Sequence, residues 1–458
     1  MKNILAIAFI VCLLACRKER VTTNPDARLT TSTDTVRFDT VFTTTGSITQ
    51  TIKLFNTNKE GIRITSLRLT GGAASAFQIN ANGTPGPAIE NLELAGNDSA
   101  YVFVSVTIPA TAATTTFIVQ DSIEVVYNGN KKWIQLEAFG RNAHFLRNHT
   151  ITGTEVWNAD KPYVLLGKLL IEKDAHLTIN EGCAIYAHAN APMVVEGQLT
   201  VHGDKWDSTK VIFTGDRLDK PYNELPGSWP GILFTESSHD NLLQHAVLKN
   251  AYQAIVVEPS SIPNKLRINE TIITNASDAG ILASNASITA QNLLIRNCGK
   301  GMVLQDGGTY NFTHATVAGF STLYLPHKNP VLAISNAAET TTHDLNAVFR
   351  NCIFWGLSGG AVPEEIVVLK KDNGVFNVQF DGVLWPVTRI PEGASVTTEP
   401  LTSDPEFDSV DAENKIYDFH LKQTSPARTS GVPTSVSLDL DGNPRPALNP
   451  DLGAYQKQ

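Results

Sequence analysis

The sequence predicts an all-β chain in two folded parts: a β-sandwich over residues 36–145, then a parallel β-helix, a single-stranded solenoid, over residues 150–456. Three observations carry this. Gly and Pro number 32 and 23 against only 3 Met, a turn-rich and helix-poor balance. The first part alternates apolar and polar residues in short segments. The second repeats one short motif at intervals of a little over twenty residues.

Before either part comes an address. Met1-Lys2-Asn3 is followed by an apolar run from Ile4 to Leu14, too short to cross a bilayer as a helix. A basic start, a short apolar core and a small residue at its end describe a secretory signal. Leu13-Leu14-Ala15-Cys16 resembles a bacterial lipobox. The resemblance implies a signal peptide of residues 1–16, acylation of Cys16 and a stable lipid anchor in the outer membrane. Lys18-Glu19 resembles the surface-export signal of Bacteroidetes-type lipoproteins, which implies that the anchored protein faces the cell exterior. Residues 17–35, rich in Thr, Asn and Asp, read as a flexible tether.

In the first folded part the alternating segments include Val36-Arg37-Phe38, Thr51-Ile52-Lys53-Leu54-Phe55, Tyr101-Val102-Phe103-Val104-Ser105-Val106 and Trp133-Ile134-Gln135-Leu136. Gly71-Gly72, Asn82-Gly83-Thr84-Pro85 and Asn128-Gly129-Asn130 break them. Period-two alternation with regular turns reads as an antiparallel sandwich. It lacks the Cys and Trp pattern of antibody domains and resembles the Ig-like sandwich next to the anchor in Bacteroidetes surface proteins. That resemblance implies a spacer.

In the second part Lys249-Asn250-Ala251, Thr274-Asn275-Ala276, Arg296-Asn297-Cys298 and Arg350-Asn351-Cys352 are one motif. Coils of that length stack at about 4.8 Å, so equivalent residues should form ladders. Asn250, Asn275, Asn297 and Asn351 are the expected structural ladder, each amide bonding its copies above and below. Cys298 and Cys352 stand where other coils have Ala and act as small inward hydrophobes. Five positions before the Asn lies a polar column of His245, Glu270, Asn292, His314 and Asn346. Two and three before it lie two apolar columns, which cannot both point inward on a straight strand, so a bend is expected.

Ser228-Trp229-Pro230-Gly231-Ile232 and the endings Leu438-Asp439-Leu440-Asp441-Gly442-Asn443-Pro444 and Pro450-Asp451-Leu452-Gly453-Ala454-Tyr455 carry a further resemblance. This region is similar to the right-handed parallel β-helix family that includes pectate-lyase-like enzymes. The Pro-rich ending is expected to close the last open coil.

The chemistry is sparse. A net charge of -9 argues against a nucleic-acid partner. HExxH, GxSxG, a P-loop and GxGxxG are absent, as is any Cys/His spacing for a metal. The clustered Asp and Gly-His-Gly of polygalacturonase-type hydrolases are absent too. The expected role is therefore non-catalytic binding or display of a carbohydrate or an envelope partner by a monomer. If the polar side faces solvent, Lys249, Arg296 and Arg350 with Asn292 suit an acidic or neutral glycan; if it lies at a turn, it is a satisfied structural ladder. The alternative is a polysaccharide lyase or glycoside hydrolase acting on an acidic polysaccharide, with His245, Glu270 and His314 as catalytic candidates. No cofactor or metal is expected, calcium entering only under the lyase alternative.

Overall fold

The computed structural model describes residues 20–337, 342–357, 361–371 and 374–458. Cys16 lies outside the described residues. The chain divides into two compact units, Met1–Asn142 and Ala143–Gln458.

In the first unit two sheets share one core. One sheet joins Val21–Thr22, Gly61–Leu69, Phe117–Tyr127, Asn130–Arg141 and Thr35–Phe42, with Ala88–Leu94 also on Gly61–Leu69. The other joins Leu29–Thr31, Gln50–Asn56, Ser99–Val106, Phe77–Ala81 and Thr84–Pro85. The alternation seen in sequence selects the buried set: Ile52 and Leu54 from one sheet meet Ile62, Ile64 and Ile123 from the other. Two expectations are corrected. Within the expected tether of residues 17–35, Val21–Thr22 runs parallel to Gly61–Ile62, and Leu29–Thr31 pairs with Leu54–Asn56. The Thr content that reads as a tether also favours strands, and Ala27 and Leu29 are buried in the core. The first sheet is also not purely antiparallel, since Thr35–Phe42 runs parallel to Asn130–Arg141.

The second unit is a parallel β-helix whose strands form one 25-stranded sheet. Most strands pair with the third strand on, so each coil carries three strands. Ile232, Ile255, Ile281, Met302, Leu332 and Ile366 pair in succession and fill the interior as one ladder. Phe312, Phe349 and Phe380 do the same, their rings stacked 5.5 and 5.1 Å apart. The thiols of Cys183, Cys298 and Cys352 are free and buried, their pKa values pushed up to about 11, about 12 and about 12 by burial.

Register corrects the expected ladder. Three successive coils have two neighbouring corners in the left-handed conformation, and polar residues occupy both. His245, Glu270, Asn292, His314 and Asn351 have φ of 46°, 46°, 48°, 56° and 54°; Asn250, Asn275 and Asn297 have 64°, 59° and 51°. Thr313 pairs with Arg350, which sets Asn351 above His314. Ala318 pairs with Trp355, so the Asn250–Asn275–Asn297 column continues as Gly319 and Gly356. Asn351 and Arg350 thus belong to the first corner, and Asn346 lies mid-strand against Thr309 and Asn377. Asn suits the left-handed conformation of both corners for the same backbone reason, so an Asn in the motif alone does not tell them apart.

The C-terminal segment is not a plug on the last coil. Ile272, Leu294, Thr316, Ile353 and Leu384 form an outward column. It is buried under Phe407, Phe419, Leu421, Ala427, Leu440, Leu452 and Ala454. One apolar column therefore faces in and the adjacent one faces out under this strap. No bend is needed.

Candidate functional site

The strap decides the fate of the polar column. Val432 N–H donates to Asn351 Oδ1 and Asn351 Nδ2 donates to Val432 O, both at 2.8 Å. His314 Nε2 lies 3.2 Å from Thr434 Oγ1 and accepts from Asn351 Nδ2 at 3.2 Å. Asn292 Nδ2 donates to Leu438 O at 2.9 Å, and its Oδ1 accepts from Arg445 Nη2 at 3.0 Å. Asn292 and His314 are fully covered. The first corner is a seat for the strap, and its amides are spent there.

The catalytic candidates are consequently not brought together. His314 is sealed, and burial pushes its pKa down to about 3. His245 and Glu270 do share a cleft of about 490 Å³ with Asp204, Lys205 and the strap residues Ser435 to Asp439. Glu270 Oε1 there accepts from Gln291 Nε2 and Asn292 Nδ2 at 3.1 and 3.0 Å, while burial lowers the pKa of His245. Among the described residues no group of three or more His, Cys, Asp or Glu side chains could hold a metal ion. Asp439 accepts the N–H groups of Asp441, Asn443 and Gln456. It is a turn. Arg350, a glycan candidate, is paired with Asp381 at 2.9 Å.

The second corner is different. Asn275 Nδ2 donates to Asn250 Oδ1 at 2.8 Å, and the two amides hold the carbonyls of Asn223 and Glu224, each at 2.8 Å. Asn297 continues the column, yet its buried Oδ1 has no hydrogen-bond partner among the described residues. These three floor a cleft of about 610 Å³ with Lys249, Thr274 and Arg296, walled by Ser321 to Tyr324 and by Lys415 and Tyr417 of the strap. The Arg296 guanidinium lies 4.9 Å from the Tyr417 ring centroid. Neither Lys249 nor Arg296 has an ion pair or side-chain hydrogen bond among the described residues. Burial lowers the pKa of both, and Lys249 also feels Arg296. Glu224 on the cleft rim is taken by Lys415. Glu413 also lines the cleft but is exposed and makes no ion pair with either cation, so the two half-buried cations still call for an anion.

Sequence reasoning found Lys249 and Arg296 but missed Tyr417, Tyr324 and Lys415. These come from the hairpin Phe407–Asp411/Ile416–Leu421 and from an insertion, and no repeat spacing announces them. Trp229, at the start of a repeat, is buried and donates to Lys249 O at 2.9 Å. It is part of the scaffold.

Two histidines give the strap a pH profile of calculable sign. His314 stays neutral in the folded state, so its contribution is present above the ordinary pKa of 6.5 and is lost as pH falls toward about 3. His420 sits between Asp441 and Asp418, at 2.9 and 2.6 Å, and these bonds, Asp441 first, raise its pKa to about 9. Its contribution is full below 6.5 and is lost as pH rises through about 9. Discounted for its one-third exposure, this loss should be on the order of 1–2 kcal/mol. Urea midpoints from pH 4 to 10 should therefore peak near neutrality, and His420→Gln should flatten the alkaline limb. An unchanged limb in that variant would refute the assignment.

No protein-family model and no curated protein matches the chain. Among solved structures, a family 123 glycoside hydrolase from Clostridium perfringens is 14% identical over 28% of this chain and 26% of its own, with a TM-score of 0.20. This chain thus spans about a quarter of that enzyme. The family 28 exopolygalacturonase of Yersinia enterocolitica is 9% identical over 77% of this chain and 94% of its own, with a TM-score of 0.21. The catalytic unit of an α-1,3-glucanase from Streptomyces thermodiastaticus is 10% identical over 76% and 84%, with a TM-score of 0.19. At TM-scores this low no residue role and no activity passes to this chain.

Proposed function

We propose that the protein is a non-catalytic binder of an acidic polysaccharide, which it holds in the second-corner cleft. The observation that carries this is the pair Lys249 and Arg296, without an acid partner among the described residues, above the unpartnered Asn297 Oδ1 and beside Tyr417. A carboxylate or sulfate supplies the missing charge, a sugar hydroxyl the missing donor, and a sugar face suits an aromatic wall. Titration of the purified protein with polygalacturonate and with hyaluronan by calorimetry tests it. Arg296→Ala and Lys249→Ala should each weaken binding at least tenfold, of the order expected for losing one partner of a buried charge pair. Absence of binding to every acidic polymer at millimolar sugar would overturn the reading.

The proposal includes the setting. Acylation at Cys16 would hold the protein on the outer membrane facing outward, with an Ig-like first unit as spacer and a right-handed solenoid next in the sequence. Replacing Cys16 by Ala should release the protein into the soluble fraction without lipid; a variant that still partitions with membranes counts against the anchor. A second reading, lyase or hydrolase, keeps only His245 and Glu270 in their shared cleft. Formation of unsaturated uronates with or without calcium would favour it.

A further inference from the structure

The Lys249 column bears on what kind of polyanion fits, and this step rests on the binding reading above. Lys249, Thr274 and Arg296 pair in succession and so occupy one position in three adjacent coils. The rungs on either side carry no charge there. Ala318 follows Arg296 and is buried. Thr214, which continues the pairing of Phe213 with Leu248, precedes Lys249 and is buried as well. Along the cleft the order is cation, neutral hydroxyl, cation.

The amide column beside it is bounded in the same places. Asn250, Asn275 and Asn297 are followed by Gly319, where a Cβ would stand 2.4 Å from the His327 ring. They are preceded by Gly215, where a Cβ would stand 2.3 Å from Ser228 Oγ. Side chains from elsewhere thus fill the corner one rung below and one rung above. The part of this corner that lines the cleft is three rungs long.

Successive rungs lie about 4.8 Å apart, so the two cations are rooted about 10 Å apart. A pyranose linked across its ring advances an extended polysaccharide by a length of the same order as one rung spacing. We infer that the cleft is matched to a three-sugar stretch with acid groups on its first and third residues, the middle residue facing Thr274 and needing no charge. The ligand class is an acidic polysaccharide in which an acid on alternate residues suffices.

Calorimetry with oligogalacturonates of one to five residues, and with a hyaluronan-type trisaccharide bearing uronate at both ends, tests this. Affinity should rise at least tenfold from the disaccharide to the trisaccharide and then level off. The alternating trisaccharide should bind within threefold of trigalacturonate, and Lys249→Gln should erase the step between two and three residues. Thr274→Lys should strengthen trigalacturonate selectively, because only that ligand has a central acid. A smooth gain with length, or an alternating trisaccharide more than tenfold weaker, would overturn the spacing argument while leaving the binding reading intact. Failure of all these ligands and of the long polymers would instead sink the binding reading itself.

Discussion

Replacing Arg445 by Met should cost about 3–5 kcal/mol of stability, as expected when one partner is removed from a buried charge network. The guanidinium is almost wholly buried, and burial lowers its pKa to about 10. It donates to the carbonyls of Gly453 and Ala454, both at 2.9 Å, to those of Leu438 and Asp451, both at 3.4 Å, and to Asn292 Oδ1 at 3.0 Å. Met fills much of the same volume, so the loss is mainly of donors. It leaves several acceptors unpaired and the buried carboxylates of Asp439 and Asp451 without their nearby cation. Arg445→Lys should recover only part, since one ammonium cannot reproduce the planar fork. Urea unfolding followed by tryptophan fluorescence, with limited proteolysis of the strap, is the measurement. A loss below about 1 kcal/mol would mean the strap is held by its apolar contacts alone.

That dependence marks the limit of what sequence could show. The coils were legible because a stacked fold writes its period into the chain: Asn250, Asn275 and Asn297 recur at matching positions, and all three take the left-handed corner. Asn351 was misplaced by one corner. The long interval after His314 hides the coil count, and Asn suits the left-handed conformation of either corner. The cation pair was visible as a column, because Lys249 and Arg296 precede the recurring Asn. What sequence could not reveal was which columns are covered. The strap reaches back from residues 432–445 to Asn351, His314 and Asn292, and a contact between segments so far apart leaves no periodic trace. The same strap seals His314, and its hairpin supplies Tyr417 beside Arg296.

One coil beyond Gly319 lies another close approach that glycine permits, and Gly356→Ala should be a strongly damaging single-methyl change. Gly356 continues the Asn250 column one coil beyond Gly319. A Cβ there would stand 2.0 Å from Glu365 Oε1 and 2.3 Å from His327 Nε2. Those two groups bond each other at 2.9 Å, and both side chains are nearly buried. Neither can swing aside into water without leaving its partner uncompensated, so the cost should approach about 3–5 kcal/mol. Gly153→Ala, where a Cβ meets nothing within 4 Å, should change stability by less than about 0.5 kcal/mol. If the clash is the cause, the penalty of Gly356→Ala should shrink on a Glu365→Ala background, which vacates the space; strictly additive losses would place the cause elsewhere. His327 also ties down the cleft wall, its backbone N–H donating to Ser321 Oγ at 3.0 Å just before Leu323 and Tyr324. Displacing the pair should therefore loosen that wall and weaken ligand binding along with stability, although position 356 does not line the cleft.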